Sequence, residues 1–140
     1  GTLFQGRFKS CLVEWDRYVL NVIRYIELNP LRATLVDKAE DWRRSSVQTH
    51  VRSTRDSRVT PHPLHLAMGK NASQREDAYR RWLSSGIGED ELSRIRRSLT
   101  QERSLGDGRF QQMVERALNR PAICRPTGRP RVARCGASGG

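Results

Sequence analysis

The sequence holds no apolar run close to the roughly 20 residues that a bilayer-spanning helix needs. Residues 1–25 contain no secretory h-region either. The expectation is therefore neither a membrane protein nor a secreted precursor. Cysteine is scarce: Cys11, Cys124 and Cys135 are odd in number, far apart and without a CxxC pair. That spacing argues against a disulfide scaffold or a zinc ribbon and favours a reducing cytoplasm. Lysine is scarce as well. Three of the 26 basic residues are lysines (Lys9, Lys38, Lys70), so the other 23 are arginines. No internal repeat is present. An apolar share of 36% and a mean hydropathy of −0.73 allow a core, but a thin one. The 140 residues, 16.1 kDa, fit one domain or one domain with an appendage.

What is abundant is positive charge. Twenty-six basic residues against 15 acidic ones give a formal charge of +11 and an isoelectric point near 10.9. Such an excess suits a phosphate polymer as partner. Arginine favours forked phosphate and base contacts, although a GC-rich genome produces the same bias without any function. Nucleic acid is the expected partner, and a solvated basic surface is the alternative.

The chain opens on Gly1 rather than Met and reads like a loop entering a strand, as the C-terminal part of a longer protein would. Arg7–Val13 predicts that strand, with Phe8 and Leu12 on one face and Lys9 and Cys11 on the other. Asp16 stands at an N-cap position, and Arg17–Leu28 predicts a helix whose core stripe is Val19, Ile23 and Ile26. Pro30 is expected to end it, because it biases Asn29 away from the helical region. Residues 48–63 are polar and read as a linker or surface loop. Three helices are expected beyond it. The first opens on a capping box at Ser73–Glu76, the second spans Glu89–Leu99, and the third is an amphipathic Arg109–Leu118. The last two could form a helix-turn-helix, though Thr100–Gly108 is long for its turn. From Pro121 onward there is no periodicity and no acid, which predicts a disordered basic tail.

At about 100° per residue, Tyr18, Asn21, Tyr25 and Asn29 project from one side of the Arg17–Leu28 helix. Such a stripe is either a site, with a tyrosine nucleophile, or two packing rings with surface asparagines. The runs Gly1–Ser10, Arg17-Tyr18 and Arg24-Tyr25-Ile26-Glu27-Leu28-Asn29-Pro30-Leu31-Arg32-Ala33 resemble the REP-associated tyrosine transposases of the HUH single-strand nuclease superfamily. The similarity continues through Trp42, Ser45-Ser46 and Thr60–Leu64, and more loosely to Phe110. The resemblance implies that Tyr25 is the nucleophile and that Asn29, one turn on, faces a divalent metal, Mg²⁺ or Mn²⁺. It implies cleavage of single-stranded DNA at the foot of a hairpin through a 5′-phosphotyrosine intermediate. It also implies an α+β fold: the C-terminal portion of a ferredoxin-like domain, one strand plus the nucleophile helix, followed by a helical extension.

One departure stands out. The family's His-hydrophobic-His motif, which supplies two metal ligands, is absent from this chain. His50, His62 and His65 do not replace it, and His62–His65 reads as a Pro-containing structural turn. DNA contacts are expected from Arg7 and Lys9 on the strand, from Arg17 and Arg24 on the helix, and from Arg129 and Arg131, where Gly128–Arg131 is similar to the core of an AT-hook. The expected division is 1–47 for the catalytic part, 48–63 for the linker, 64–120 for the helical extension and 121–140 for the tail. The two readings are a strand transferase and a non-catalytic DNA-binding remnant of one.

Overall fold

The computed structural model describes residues 9–52 and 56–126. Among these residues the chain forms six α-helices and one short 3-10 turn, Ala39–Asp41. The helices are α1 (Trp15–Arg32), α2 (Val47–Arg52), α3 (Pro63–Leu66), α4 (Ala72–Ser84), α5 (Glu89–Thr100) and α6 (Gly108–Leu118). None of them is long and apolar enough to cross a membrane.

The expected α+β architecture is not what forms. Arg7 and Phe8 lie outside the described residues, and Lys9–Val13 build no sheet. Val13 makes only a lone parallel bridge to Leu105, carried by Leu105 N–H to Leu12 O (2.7 Å) and Glu14 N–H to Leu105 O (2.8 Å). A strand is stabilised by neighbouring strands, and among the described residues no second extended run supplies a ladder. The domain is therefore built from helix packing.

α1 also departs from expectation at both ends. It starts at Trp15 after an extended Glu14 whose side chain makes no cap bond, and it runs past Pro30 to Arg32. Pro30 removes one intrahelical donor. Two closing bonds offset that loss: Thr34 N–H to Leu31 O and Leu35 N–H to Pro30 O, both 3.0 Å. This is the Schellman closure, and it places Thr34 in the left-handed region at φ 55°. The stripe predicted for the core is also displaced. Ile26 is 61% exposed, whereas Glu27 and Leu28 are buried.

The core gathers Leu28, Ala39, Val47, Val51, Tyr79 and Leu83, with Leu31, Met68, Trp82 and Ile87 packed around it. Within the stretch expected as a linker, Val47 and Val51 stand one turn apart. Both are buried, so residues 47–52 fold as α2 and pack on α4. α4 begins two residues before the expected capping box. Asn71 Oδ1 accepts Gln74 N–H (2.9 Å), while Gln74 Oε1 accepts Lys70 N–H (3.0 Å). The Glu89–Leu99 helix is found nearly as expected, with Leu92 and Ile95 buried. α6 is capped by Asp107, whose Oδ1 accepts Phe110 N–H at 2.9 Å. The first six residues of the expected tail pack back instead of leaving. Ala122 is buried. Its carbonyl accepts Ser104 N–H (3.0 Å), its N–H donates to Glu115 Oε1 (2.9 Å), and Arg125 N–H donates to Gln101 Oε1 (2.8 Å). Residues 127–140 lie outside the described set.

Thr34 carries a β-branched side chain in a conformation that costs an L-residue about 1–2 kcal/mol. Glycine removes that cost but loses more entropy on folding, by roughly 0.5–1 kcal/mol. Thr34→Gly is therefore expected to stabilise the chain by about 0.5–1 kcal/mol, read as a higher denaturation midpoint at unchanged slope.

Candidate active site

Of the four residues on the tyrosine–asparagine side of α1, two are engaged by α5. The Tyr18 hydroxyl accepts a hydrogen bond from Arg94 Nη2 at 3.0 Å, and the same guanidinium lies 5.0 Å from the ring centroid. Asn21 Nδ2 donates to Glu91 Oε1 at 2.9 Å, and its Oδ1 accepts from Arg24 Nη2 at 3.1 Å. Tyr25 and Asn29 remain open. Tyr25 is half-buried and Asn29 exposed, and neither side chain has a hydrogen-bond partner among the described residues. Asn29 lines a groove of about 370 Å³ together with Ile26, Leu35, Trp42, Arg44 and Ser45. Arg44 is exposed there without an ion pair among the described residues. It was not singled out from the sequence, although the Trp42/Ser45-Ser46 segment that carries it was.

The expected DNA-contacting residues separate. Lys9 is exposed, and Arg17 is exposed with a loose 3.6 Å pair to Asp107. Arg24 is turned inward. Its Nη1 donates to Trp82 O and Ser85 Oγ, both at 3.0 Å, and its guanidinium sits 4.5 Å from the Trp82 ring centroid. Burial pulls its pKa below the ordinary guanidinium value, with Glu91 and Tyr79 acting against that shift. Arg24 thus closes the C-terminal end of α4 rather than facing a ligand. Arg7, Arg129 and Arg131 lie outside the described residues.

Behind the open face sits a polar network that the sequence did not announce. Glu27 is only 1% exposed. Ser46 Oγ donates to its Oε1 at 2.6 Å, His50 Nδ1 lies 3.0 Å from the same oxygen, and Tyr79 OH donates to Oε2 at 2.5 Å. Burial, reinforced by the Glu27 charge and hydrogen bond, pushes the Tyr79 phenol well above its ordinary range. His65 packs against both rings, 4.6 Å from His50 and 5.1 Å from Tyr79, and both its nitrogens are buried without a partner. His62 caps α3, its Nδ1 accepting Leu64 N–H at 3.1 Å, which agrees with the structural turn read from the sequence.

A divalent cation does not fit the side chains in place. A hard cation takes about six oxygen ligands. Asn29 offers one neutral amide oxygen, and among the described residues no three His, Cys, Asp or Glu side chains are grouped to hold a metal. No family model matches the chain, and no curated protein or solved structure matches it.

Two predictions concern the network. Removing a buried, fully bonded carboxylate leaves three donors unpaired, so Glu27→Ala should cost about 3–5 kcal/mol, against about 1–2 kcal/mol for Tyr79→Phe. Denaturant titration ranks them. The pH dependence follows from His65, whose pKa is lowered mainly by burial, then by His50 and Arg75, with Glu27 opposing. Below the ordinary imidazole value of about 6.5, the unfolded chain binds a proton that the native chain refuses. Stability is therefore full above about pH 7 and is lost as pH falls towards the lowered native value. Melting temperatures between pH 7.5 and pH 5 should fall less steeply in His65→Phe than in the parent chain.

Proposed function

We propose that the chain carries the nucleophile helix of a single-strand DNA strand transferase of the REP-associated tyrosine transposase type, acting on hairpin DNA in the cytoplasm. The observation that supports this most directly is an elimination among the three tyrosines. Tyr18 is held by Arg94 and Tyr79 is buried on Glu27, whereas the Tyr25 hydroxyl is unengaged at the surface. In the proposed step the Tyr25 oxygen attacks the scissile phosphorus. The Tyr O–P bond forms, the P–O3′ bond breaks, and the departing 3′ oxygen takes up a proton. The phosphotyrosine conserves the diester bond, so a 3′-hydroxyl can reverse the step without an external energy source. Lys9, Arg17 and Arg44 are placed outward and can hold phosphates. The unpaired Cys11 and Cys124 accord with a reducing compartment.

A second reading, DNA binding without cutting, is favoured by the donor set. Asn29 stands alone among the described residues as a ligand near Tyr25, and a phenol with a pKa near 10 is a weak nucleophile without help. A denaturing gel with labelled single-stranded hairpin DNA and Mg²⁺ or Mn²⁺ separates the two. The strand-transferase reading expects a covalent protein–DNA band that survives Tyr18→Phe and disappears in Tyr25→Phe, with DNA binding retained in both. Binding without any covalent band supports the second reading. A band that persists in Tyr25→Phe overturns the assignment of the nucleophile.

A further inference from the structure

α6 presents two unlike faces. Its inner face is fixed: Val114 is buried, Gln111 Nε2 donates to Ser104 O at 3.2 Å, and Phe110 lies so close to Gly106 that a Cβ there would come within 2.3 Å of the ring. The one acidic residue of the helix, Glu115, also points inward, where its Oε1 accepts Ala122 N–H and Ile123 N–H at 2.9 and 3.4 Å. The outer face is left with Arg109, Gln112, Met113, Arg116 and Ala117, which line one shallow open surface. Arg109, Gln112 and Arg116 are exposed, and none of them has a hydrogen bond or an ion pair among the described residues. Met113 is 57% exposed.

We propose that this outer face of α6 is a docking surface for duplex DNA, entering the major groove with Arg109 and Gln112 towards base edges and Arg116 towards a phosphate. Three features select that occupant. The first is charge complementarity: the face is cationic, its only nearby carboxylate is turned away, and the chain as a whole carries +11. The second is side-chain chemistry. Arginine and glutamine are the side chains that pair bidentately with guanine and adenine edges in the major groove, and an apolar side chain can contact a thymine methyl. Single strands are instead held by aromatic stacking platforms, and this face has no aromatic. The third is shape. A helix about 10–12 Å across fits a major groove about 12 Å wide, and Ala117 keeps the face low between Met113 and Arg116.

The inference rests on the reading of the chain as a DNA-binding protein and adds a duplex, such as the stem of a hairpin, to the single strand assigned to the Tyr25 side. Fluorescence anisotropy of the full chain with a 20-base-pair mixed-sequence duplex and with a single strand of equal length, over a salt series, tests it. Replacing both arginines (R109A with R116A) should weaken duplex binding about tenfold near 0.1 M salt and reduce the log–log salt slope by about 2, since each phosphate contact contributes about 0.9. Single-strand affinity should stay within about twofold. Arg81→Ala, an exposed α4 arginine, is the control and should change neither. Selection from a randomised duplex pool should enrich a motif that Gln112→Ala loses at one position. Far-ultraviolet dichroism confirms folding of each variant, and a variant that fails it is replaced by R109Q with R116Q. Duplex binding unchanged in the double variant overturns the inference, as does an equal loss for duplex and single strand. Failure of the wild-type chain to bind any DNA overturns the underlying reading as well. Binding to single strands alone overturns only the duplex surface.

Discussion

Glu27 is the constraint around which the fold is arranged. A carboxylate at 1% exposure must have every oxygen bonded, and the bonds come from three separate places: Ser46 in the turn before α2, His50 within α2 and Tyr79 in α4. Those partners lie between 19 and 52 residues away in sequence, so satisfying one side chain draws three segments onto α1. It also fixes the rotation of α1. Residues two apart on a helix point about 200° from one another, so burying Glu27 turns Tyr25 to the opposite side. The same rotation carries Ile26 outward, to 61% exposure. The openness of Tyr25 is thus a consequence of where a carboxylate is buried.

This rotation explains which parts of the fold were legible. α5 and α6 announce themselves by apolar spacing between glycine breaks, and their buried faces, Leu92 with Ile95 and Val114, fall on the expected residues. α1 was legible as a helix but not in its orientation. Periodicity counted Val19, Ile23 and Ile26 as core because they are apolar, whereas a triple hydrogen bond to Glu27 decides the matter, and its donors are not adjacent in sequence. α2 was missed because its apolar face consists of only two valines among polar neighbours. The Arg7–Val13 strand was read from alternation, which reports a local preference but not the presence of a partner strand. On the site, the stripe of Tyr18, Asn21, Tyr25 and Asn29 was legible from spacing. Which members stay open was not, because that depends on Arg94 and Glu91 of α5, some 70 residues further along.

The arginine excess divides in a way that composition cannot show. Several guanidinium groups are used on the protein's own carbonyls: Arg24 on Trp82, Arg75 on Gly69, Arg80 on Val51 and Arg103 on Pro121. Two of these acceptors, Val51 and Trp82, lie in the last turns of α2 and α4, where helix carbonyls lack intrahelical donors. Part of the positive charge therefore compensates helix ends and is not available to a polyanion. What remains outward is concentrated on α6 and beside Asn29, so an overall charge of +11 overstates the number of independent phosphate contacts.

The two outward regions are coupled through one junction. Asp107 caps α6 with its Oδ1, its N–H donates to Glu14 Oε2 at 2.8 Å, and its Oδ2 pairs with Arg17 at 3.6 Å. Glu14 and Arg17 bracket the start of α1, and Leu105 is bonded to the backbone on either side of Val13. The orientation of α6 is therefore set against the same helix that carries Tyr25. If a hairpin stem lies on α6 and its single-stranded foot passes α1, the distance between stem and nucleophile is fixed by this junction rather than by a flexible linker. A rigid spacing of that kind converts recognition of the stem into a choice of which phosphate is presented to Tyr25. Site selection can then arise from the fold without a base-specific contact at the cleavage point itself.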